Sequence, residues 1–281
     1  MIGNAIVIGT GGVANFCALE LQMRGVDVSF WESRMDNVGT SEAICRKRGI
    51  PYEQLSKEQL TMRLKGIENK TLVVSASNRY LFPAEVLANK NLVVVNYHGA
   101  LLPKHPGRNA EAWAIFNQDA EGGITWHKVV ADVDAGEILI QKSVPITDKT
   151  TSFTLLREYA KLAQLGFAEI VDGLLSETLP SFVQQGERHA IMYSWMKPND
   201  GVLDLSWSGD KVSAFLRAMD YGPLHALGFP TVKLDDKEFN VLKYTIDQNI
   251  SADASGWVHP SMSYRIQSEN ITIDLEVKMI A

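Results

Sequence analysis

The first hundred residues alternate between short apolar runs and segments with helical spacing, and this order limits the possible folds more than any other feature. Strands are predicted at 5–8, 26–31, 71–75 and 92–96, and helices at 13–25, 41–49, 56–65 and 83–88. Continuous Val-rich runs, as at 71–75 and 92–96, are typical of strands that are covered on both faces. The β-α-β-α order therefore predicts an α/β fold with a doubly wound, mostly parallel sheet.

The pattern changes after residue 100. Strands are predicted at 123–130 and 137–141, followed by one long amphipathic helix at 151–175. The turn-rich stretch 181–200 predicts a linker. Beyond it, Gly and Pro separate short strands at 202–207, 231–234, 239–245, 264–267 and 271–279, with a helix at 211–219, which is typical of a small barrel. We predict a first domain over 1–180, a linker over 181–200 and a small β-rich, barrel-like domain over 201–281.

Charge and cysteine content exclude several classes of function. With 27 Lys and Arg against 33 Asp and Glu, the net charge is −6, so the chain as a whole does not attract a polyanion such as tRNA. Cys17 and Cys45 cannot build a disulfide framework, and the histidines lack the spacing of a metal site. The start has no charged segment before a long apolar run. We expect a cytoplasmic protein with no metal and no membrane contact.

A glycine-rich turn follows the first predicted strand and opens the first predicted helix. Gly9, Gly11, Gly12 and Ala14 stand in the context of a dinucleotide-binding turn, where a helix N-terminus attracts a phosphate. Glu32 ends the second strand, where a ribose-binding acid would lie. An NAD-dependent oxidoreductase is therefore one alternative. The other is that the glycines only form the tight turn between strand and helix.

The segment after the fourth predicted strand carries the most specific chemistry. Asn96 and His98 are two residues apart at a strand end, so their side chains point to the same side. An amide can donate to a carbonyl oxygen, and an imidazole can move a proton near neutral pH. The turn that contains Asp134 could return a carboxylate to this pair. Such a set suits acyl transfer from a carbonyl donor to an amine without a covalent intermediate.

The order and spacing of these residues resemble a known family. The series is Asn96-x-His98-x-x-Leu-Leu-Pro103, then Gly107, then Gly-Ile-Thr-x-His127, then Asp134-x-Gly136-x-Ile. It resembles the formyltransferases that use 10-formyltetrahydrofolate, which act on methionyl-tRNA, glycinamide ribonucleotide or nucleotide sugars. The resemblance is strong over 1–180 and weaker beyond. Segments 107–115 and 124–127 resemble most the formyltransferases of amino-acid and nonribosomal-peptide biosynthesis.

The resemblance implies a role for each residue of the set and a folate co-substrate, 10-formyltetrahydrofolate. Asn96 would bind the formyl oxygen, and His98 would assist proton movement and polarise the same centre. Asp134 would orient His98 and a water, and would relay the proton that leaves the amine. His127 is expected to brace a strand.

The resemblance also implies walls for the two substrates. The folate would be held by Asn78, Arg79, Tyr80 and Leu81 on one side and by Val130, Ala131 and Asp132 on the other. The aromatic side chains of Tyr80 and Phe82 could instead belong to the core. The acceptor side would include Gly9, Gly11 and Gly12, whose backbone N–H groups could hold a carboxylate or phosphate, together with His105 and Gly107.

We therefore predict an N-formyltransferase for a small or carrier-bound amine: an amino acid, a natural-product precursor or an amino sugar. Methionyl-tRNA formylation is the alternative with the same chemistry, and the acidic composition disfavours it. An NAD-dependent oxidoreductase and a non-catalytic folate- or nucleotide-binding relative are the alternatives from other classes. The C-terminal domain is expected to shape the acceptor side or to form an oligomer contact, such as that of a homodimer.

Overall fold

The computed structural model describes residues 1–34, 41–247, 255–258, 262–268 and 271–280. It divides into two compact units, which are described separately. The first contains Met1–Gly107, Gly123–Ser143 and Glu158–Ile191, and the second contains Arg108–Gly122, Val144–Arg157 and Met192–Ala281. Two short segments of the predicted first domain thus belong to the second unit. The domain limits at 180 and 200 stay a prediction.

A seven-stranded sheet organises the first half of the chain. Its strands are β1 (Asn4–Gly9), β2 (Asp27–Ser33), β3 (Tyr52–Leu55), β4 (Thr71–Ala76), β5 (Leu92–His98), β6 (Glu121–Lys128) and β7 (Ile138–Pro145), in the order β3-β2-β1-β4-β5-β6-β7. Strands β1 to β5 are parallel to one another, whereas β6 runs antiparallel to β5. The α/β fold is confirmed, and the mostly parallel sheet is corrected to a mixed one. The edge strand β3 was not predicted, because it is short and mostly polar.

Seven α-helices lie within the residues that the structure describes. They are α1 (Gly11–Met23), α2 (Glu42–Arg48), α3 (Lys57–Lys65), α4 (Ala84–Leu87), α5 (Ala110–Phe116), α6 (Ser152–Leu175) and α7 (Gly209–Met219). Local signals set their ends: Gly49 closes α2 with a left-handed φ of 68°, and Ser56 with Gln59 forms a capping box on α3. Short α5 was not predicted; its N-cap residue, Asn109, makes no side-chain cap hydrogen bond. No helix in the described part of the chain is long and apolar enough to cross a membrane.

The centre of the sheet is buried on both faces, as its Val-rich strands predict. Every residue of β4 is buried, and Val73, Val74 and Val95 are fully excluded from solvent. Each such side chain stabilises the fold by about 1.5–3 kcal/mol relative to an exposed one. The carboxyl ends of β4 and β5 are therefore held rigidly side by side, and polar residues at those ends have fixed positions.

The second unit contains a six-stranded sheet. Its strands are β8 (Val202–Leu203), β9 (Thr231–Leu234), β10 (Lys237–Asp247), β11 (Gly256–Val258), β12 (Ser263–Gln267) and β13 (Thr272–Met279), in the order β11-β12-β13-β10-β9-β8. The strand predicted over 202–207 is only two residues long. Asp204 ends it, since its carboxylate accepts from both the N–H and the hydroxyl of Ser206 and so forms a turn.

Candidate active site

Three neighbouring strands of the first unit place polar side chains in a row at one end of the sheet. The register pairs Ser75 on β4 with Asn96 on β5, and Asn96 with His127 on β6. Residues that pair directly across strands carry side chains on the same face of a sheet. The Asn96 side chain, on the middle strand, is accordingly within hydrogen-bond reach of both Ser75 and His127.

Hydrogen bonds along this row fix the orientation of the Asn96 amide. The Ser75 hydroxyl donates to Asn96 Oδ1 at 2.6 Å, and Asn78 Nδ2 donates to Ser75 Oγ at 2.6 Å. His127 Nδ1 lies 2.8 Å from the carbonyl oxygen of Lys128, which can only accept, so this nitrogen carries a proton. His127 Nε2 is then free to accept from Asn96 Nδ2 at 3.1 Å. The carbonyl of Asn96 therefore faces Ser75, and its NH₂ group faces His127.

The amide of Asn96 retains one donor. Its NH₂ group carries two N–H bonds, of which His127 takes one, and the second has no acceptor among the residues that the structure describes. Asn96 itself is only partly buried. A substrate oxygen that reaches this side chain would meet a donor with a fixed direction.

A strained turn carries Asp134 to the same place. Asp134 has a left-handed φ of 52°, which costs about 1–3 kcal/mol for a residue with a side chain. The turn is held closed at Gly136, where an added Cβ would lie 1.8 Å from the carbonyl oxygen of Lys128. Gln184 Nε2 donates to the backbone oxygens of both Asp134 and Gly136 at 2.8 Å. The conformation of the turn is thus imposed by its surroundings.

The carboxylate of Asp134 lies between two histidines. Its Oδ2 is 3.5 Å from His98 Nδ1 and accepts the N–H of Gly107 at 2.8 Å, and its Oδ1 is 3.4 Å from His127 Nε2. Burial raises the pKa of Asp134, but the charge of His98 and the N–H of Gly107 hold this pKa well below its usual range. His98 Nε2 donates to the carbonyl oxygen of His105 at 2.9 Å. Asp134 is therefore ionised and His98 is placed to carry the balancing positive charge.

The structure brings Asn96, His98 and Asp134 together, and it adds two residues to them. His127, expected only to brace a strand, contacts both Asn96 and Asp134. Ser75 was not singled out at all. The cross-strand register could have found both, because Ser75 and His127 flank Asn96 on its two neighbouring strands.

The residues predicted to hold the folate divide into two groups. Asn78 and Tyr80 are used internally: Asn78 Oδ1 accepts the N–H of Tyr80 at 2.6 Å, and the ring of Tyr80 is in the core, 3% exposed, with its hydroxyl 2.9 Å from Thr61 Oγ1. Leu81 and Val130 are apolar and exposed, at 66% and 43%. Arg79, Ala131 and Asp132 are exposed as well.

The residues predicted for the acceptor side also differ among themselves. An added Cβ at Gly9 would lie 1.8 Å from the carbonyl oxygen of Ala76, so this glycine is required by the packing of β1 against β4. Gly11 has a φ of +74° and begins α1, and the carbonyl oxygen of Gly12 lies 3.4 Å from Gln164 Nε2. The carboxylate of buried Glu32, the candidate ribose ligand, accepts the hydroxyl of Tyr52.

The loop before α5 also contributes to the cluster. Gly107 bonds Asp134 through its backbone. His105 is not exposed to solvent: it is 3% exposed, and its ring packs edge-on against His189 at 4.7 Å. Its carbonyl group, rather than its ring, contacts His98.

Sequence comparison agrees with this geometry. Residues 32–171 match the formyl transferase family. The chain is 30% identical over 243 residues to a GDP-perosamine N-formyltransferase of Brucella melitensis, which covers 84% of this chain and 91% of that relative. The chain belongs to the formyltransferase family. The chain is therefore a folate-dependent formyltransferase. Its membership of this family excludes the alternative hypothesis of an NAD-dependent oxidoreductase.

Other similarities extend the comparison to different acceptors and to the fold. A methionyl-tRNA formyltransferase of Lactobacillus gasseri is 30% identical over 254 residues, which are 83% of this chain and 76% of that relative. An N-formyltransferase from Helicobacter canadensis, solved with folinic acid and dTDP-3-aminofucose, has the same fold with a TM-score of 0.76 and 15% identity, over 99% of this chain and 100% of that one. Neither relative belongs to nonribosomal-peptide biosynthesis by its name, and that finer resemblance stays a prediction.

Proposed function

We propose that this formyltransferase transfers the formyl group of 10-formyltetrahydrofolate to the amino group of a nucleotide-linked amino sugar. The observation that carries the acceptor class is the extent of the similarity to GDP-perosamine N-formyltransferase, which spans nine-tenths of that relative rather than only its formyl-transfer residues. The net charge of −6 agrees with a small acceptor, because tRNA binding depends on neutralising phosphates with Lys and Arg.

In this mechanism Asn96 stabilises the oxygen of the formyl group. As the amine nitrogen bonds to the formyl carbon, negative charge develops on that oxygen. The second N–H of Asn96 is aimed by Ser75 and His127 and donates to it. Because the amide is already oriented, it does not have to reorganise as the charge develops, which is the source of its catalytic effect.

Asp134 acts on the amine. The low pKa of Asp134 keeps the carboxylate ionised, so it stabilises the positive charge that develops on the attacking nitrogen. The nitrogen then loses one proton, and the folate nitrogen that leaves the formyl carbon gains one. Relay of this proton through a water oriented by Asp134 stays a prediction. His98, bonded through Nε2 to the His105 carbonyl, provides the balancing charge.

The exposed residues of the two predicted folate walls fit a flat heterocycle. Leu81 and Val130 offer exposed apolar surface, which suits the faces of a pterin ring. Exposed Arg79, Ala131 and Asp132 provide backbone and side-chain polar groups for its edge. When bound, the folate supplies the formyl group and the leaving nitrogen. Asn78 contributes indirectly, by holding Ser75.

Methionyl-tRNA formylation is the second candidate. It is favoured by the 30% identity to the Lactobacillus gasseri enzyme over 254 residues. That similarity covers 76% of the relative, less than the 91% of the GDP-perosamine enzyme. We therefore rank it second.

Three further expectations belong to this proposal. The C-terminal strands would complete a barrel-like domain, which would shape the acceptor side. Two chains would form a homodimer, and the enzyme would act in the cytoplasm, where folate-dependent formyl transfer to a soluble nucleotide sugar takes place. The finding that supports the first of these is the largely antiparallel six-stranded sheet of the second unit.

A formyl-transfer assay with 10-formyltetrahydrofolate tests the proposal. The acceptors are GDP-, dTDP- and UDP-linked amino sugars, free amino acids, carrier-bound aminoacyl groups and methionyl-tRNA, and the readout is the mass gain of one formyl group. We expect formylation of a nucleotide-linked amino sugar, at a rate about 10²–10³-fold lower with the Asn96→Ala variant. Formylation of methionyl-tRNA alone would replace the proposed acceptor with the second candidate.

A further inference from the structure

Two aromatic rings of the second unit are stacked on each other and exposed to solvent. The rings of Tyr193 and Trp195 lie 4.7 Å apart between centroids with an angle of 4° between their planes. Trp195 is 72% exposed and Tyr193 is 49% exposed. Large aromatic side chains usually stabilise a protein through the apolar surface that they bury. These two bury little of theirs and so contribute little stability in this way. A role in binding would explain their exposure.

The backbone beneath the rings is ordered. The N–H of Met196 donates to the carbonyl oxygen of Tyr193 at 3.0 Å, which closes a turn that brings the two rings to the same side. The N–H of Tyr193 also lies 3.4 Å from Met196 Sδ. Upstream, the N–H of Arg108 donates to the carbonyl oxygen of Met192 at 2.8 Å. The pair is thus preorganised, which reduces the entropy lost when a ligand binds.

Two cationic residues are connected to this ring segment, one along the chain and one through a backbone hydrogen bond. Lys197 follows Trp195 by two residues and forms no salt bridge with any residue that the structure describes. Arg108 is joined to the ring segment through its backbone bond to Met192 and directly follows Gly107 in the chain. A flat aromatic surface on a segment that also carries a lysine and is bonded to an arginine backbone matches the two parts of a nucleotide, a stacking base and a negatively charged diphosphate.

We infer that Tyr193 and Trp195 form a platform on which the base of a nucleotide stacks, with Lys197 and Arg108 attracting its phosphates. This inference rests on the proposed function and names the part of the acceptor that the second unit binds. A nucleotide base that lies on the outer face of this pair gains the same stacking interaction that the two side-chain rings make with each other. Stacking tolerates different bases, because every base has a π-face. The platform therefore supplies affinity for the nucleotide, while the amino sugar attached to that nucleotide determines which amine is formylated.

Nucleotide binding to the full-length protein tests the platform independently of catalysis. The probes are GDP and dTDP, with inorganic pyrophosphate as the base-free ligand, and dissociation constants are measured by titration calorimetry. We expect Trp195→Ala and Tyr193→Ala each to weaken GDP or dTDP binding by about 5- to 100-fold, the usual effect of losing one base stack. Trp195→Phe keeps a ring and should retain most of the affinity. Pyrophosphate binding should not change with any of these variants.

Two controls separate a binding role from a structural one. Phe229→Ala removes another exposed aromatic side chain of the second unit, 41% exposed, and should leave nucleotide binding unchanged. Folinic acid affinity and the thermal midpoint of Trp195→Ala should match those of the wild type. With an active amino-sugar nucleotide, Trp195→Ala should raise KM and leave kcat nearly unchanged, because the base is remote from the reacting amine.

The outcomes distinguish this inference from the proposed function. If the wild type binds GDP or dTDP and Trp195→Ala binds it equally well, the platform is overturned while the acceptor class stands. If the wild type binds no nucleotide, the acceptor class fails and the platform fails with it. Weakened folinic acid binding in Trp195→Ala, with normal nucleotide binding, would assign the rings to the other substrate and also overturn the inference.

Discussion

The glycine turn after β1 and the polar cluster after β5 occupy equivalent places, the carboxyl ends of parallel strands in one sheet. Each contains residues typical of a ligand site. In the turn, however, contacts within the protein already explain the residues that resemble a dinucleotide site. Gly9 has no room for a Cβ, and Glu32 accepts the hydroxyl of Tyr52. In the cluster, a largely buried carboxylate lies between two histidines and an amide donor is left available. A motif that packing explains is weak evidence of function, whereas polar side chains that converge at the cost of burial and strain are strong evidence.

The largest expected effect comes from breaking the cluster at its donor. Asn96→Ala removes the N–H that we assign to the formyl oxygen, and we expect kcat to fall by about 10²–10³-fold, as for the loss of one oxyanion donor. Steady-state kinetics with a formylated product readout measure this. Asn69→Ala, at an exposed asparagine of the same unit, is the control and should keep the wild-type rate. A turnover of Asn96→Ala within a few-fold of wild type would remove Asn96 from the mechanism.

The next largest expected effect is a loss of stability caused by a substitution in the glycine turn after β1. Gly9→Ala forces a Cβ against the Ala76 carbonyl, and we expect the free energy of unfolding to fall by about 1–3 kcal/mol or more, as for other overpacked sites. Gly3→Ala is the matched control, since no atom lies within 4 Å of its Cβ position. Urea unfolding measures both. A stable Gly9→Ala protein with a raised KM for the amine would instead make the turn a binding site.

A smaller effect tests whether Ser75 acts through Asn96. Ser75→Ala frees the carbonyl of Asn96 from its 2.6 Å bond, and we expect kcat to fall about 5- to 10-fold with little change in KM, the equivalent of about one hydrogen bond. Ser152 donates an equally short bond to the Ala218 carbonyl, and it is also buried. Ser152→Ala should lower stability alone. Equal losses of kcat in both variants would show that Ser75 is only structural.

The smallest effect is a titration. Because the charge of His98 and the N–H of Gly107 outweigh burial, Asp134 should lose its proton at a lower pH than an ordinary aspartate. A lowered folded-state pKa adds stability that is present above the unfolded pKa, near 4, and is lost as the pH falls through the folded value. Carboxyl ¹³C NMR of the protein, assigned with Asp134→Asn, follows this proton directly. A midpoint at or above pH 4 would contradict the charge assignment.

Short-range sequence patterns predicted the elements whose structure depends on residues close together in the chain. The Val-rich runs gave β4 and β5, Gly49 ended α2, and the linear spacing of Asn96, His98 and Asp134 indicated one site. Edge strand β3 and short α5 escaped prediction because neither has a long periodic pattern. The strand predicted at 202–207 was too long, because an aspartate-centred turn overrode its apolar residues.

The sequence by itself determined the α/β fold of the first half, the family and the three residues to which we assign formyl transfer in our proposal. These depend on periodicity and on short spacings, which a linear chain displays directly. Only the tertiary structure decided that Ser75 and His127 join Asn96, that the ring of Tyr80 lies in the core while Leu81 stays exposed, and that Gly9 is fixed by Ala76. The physical reason is that each of these facts is a contact between residues that are distant in sequence. Strand register and side-chain packing create such contacts, and no local pattern encodes them.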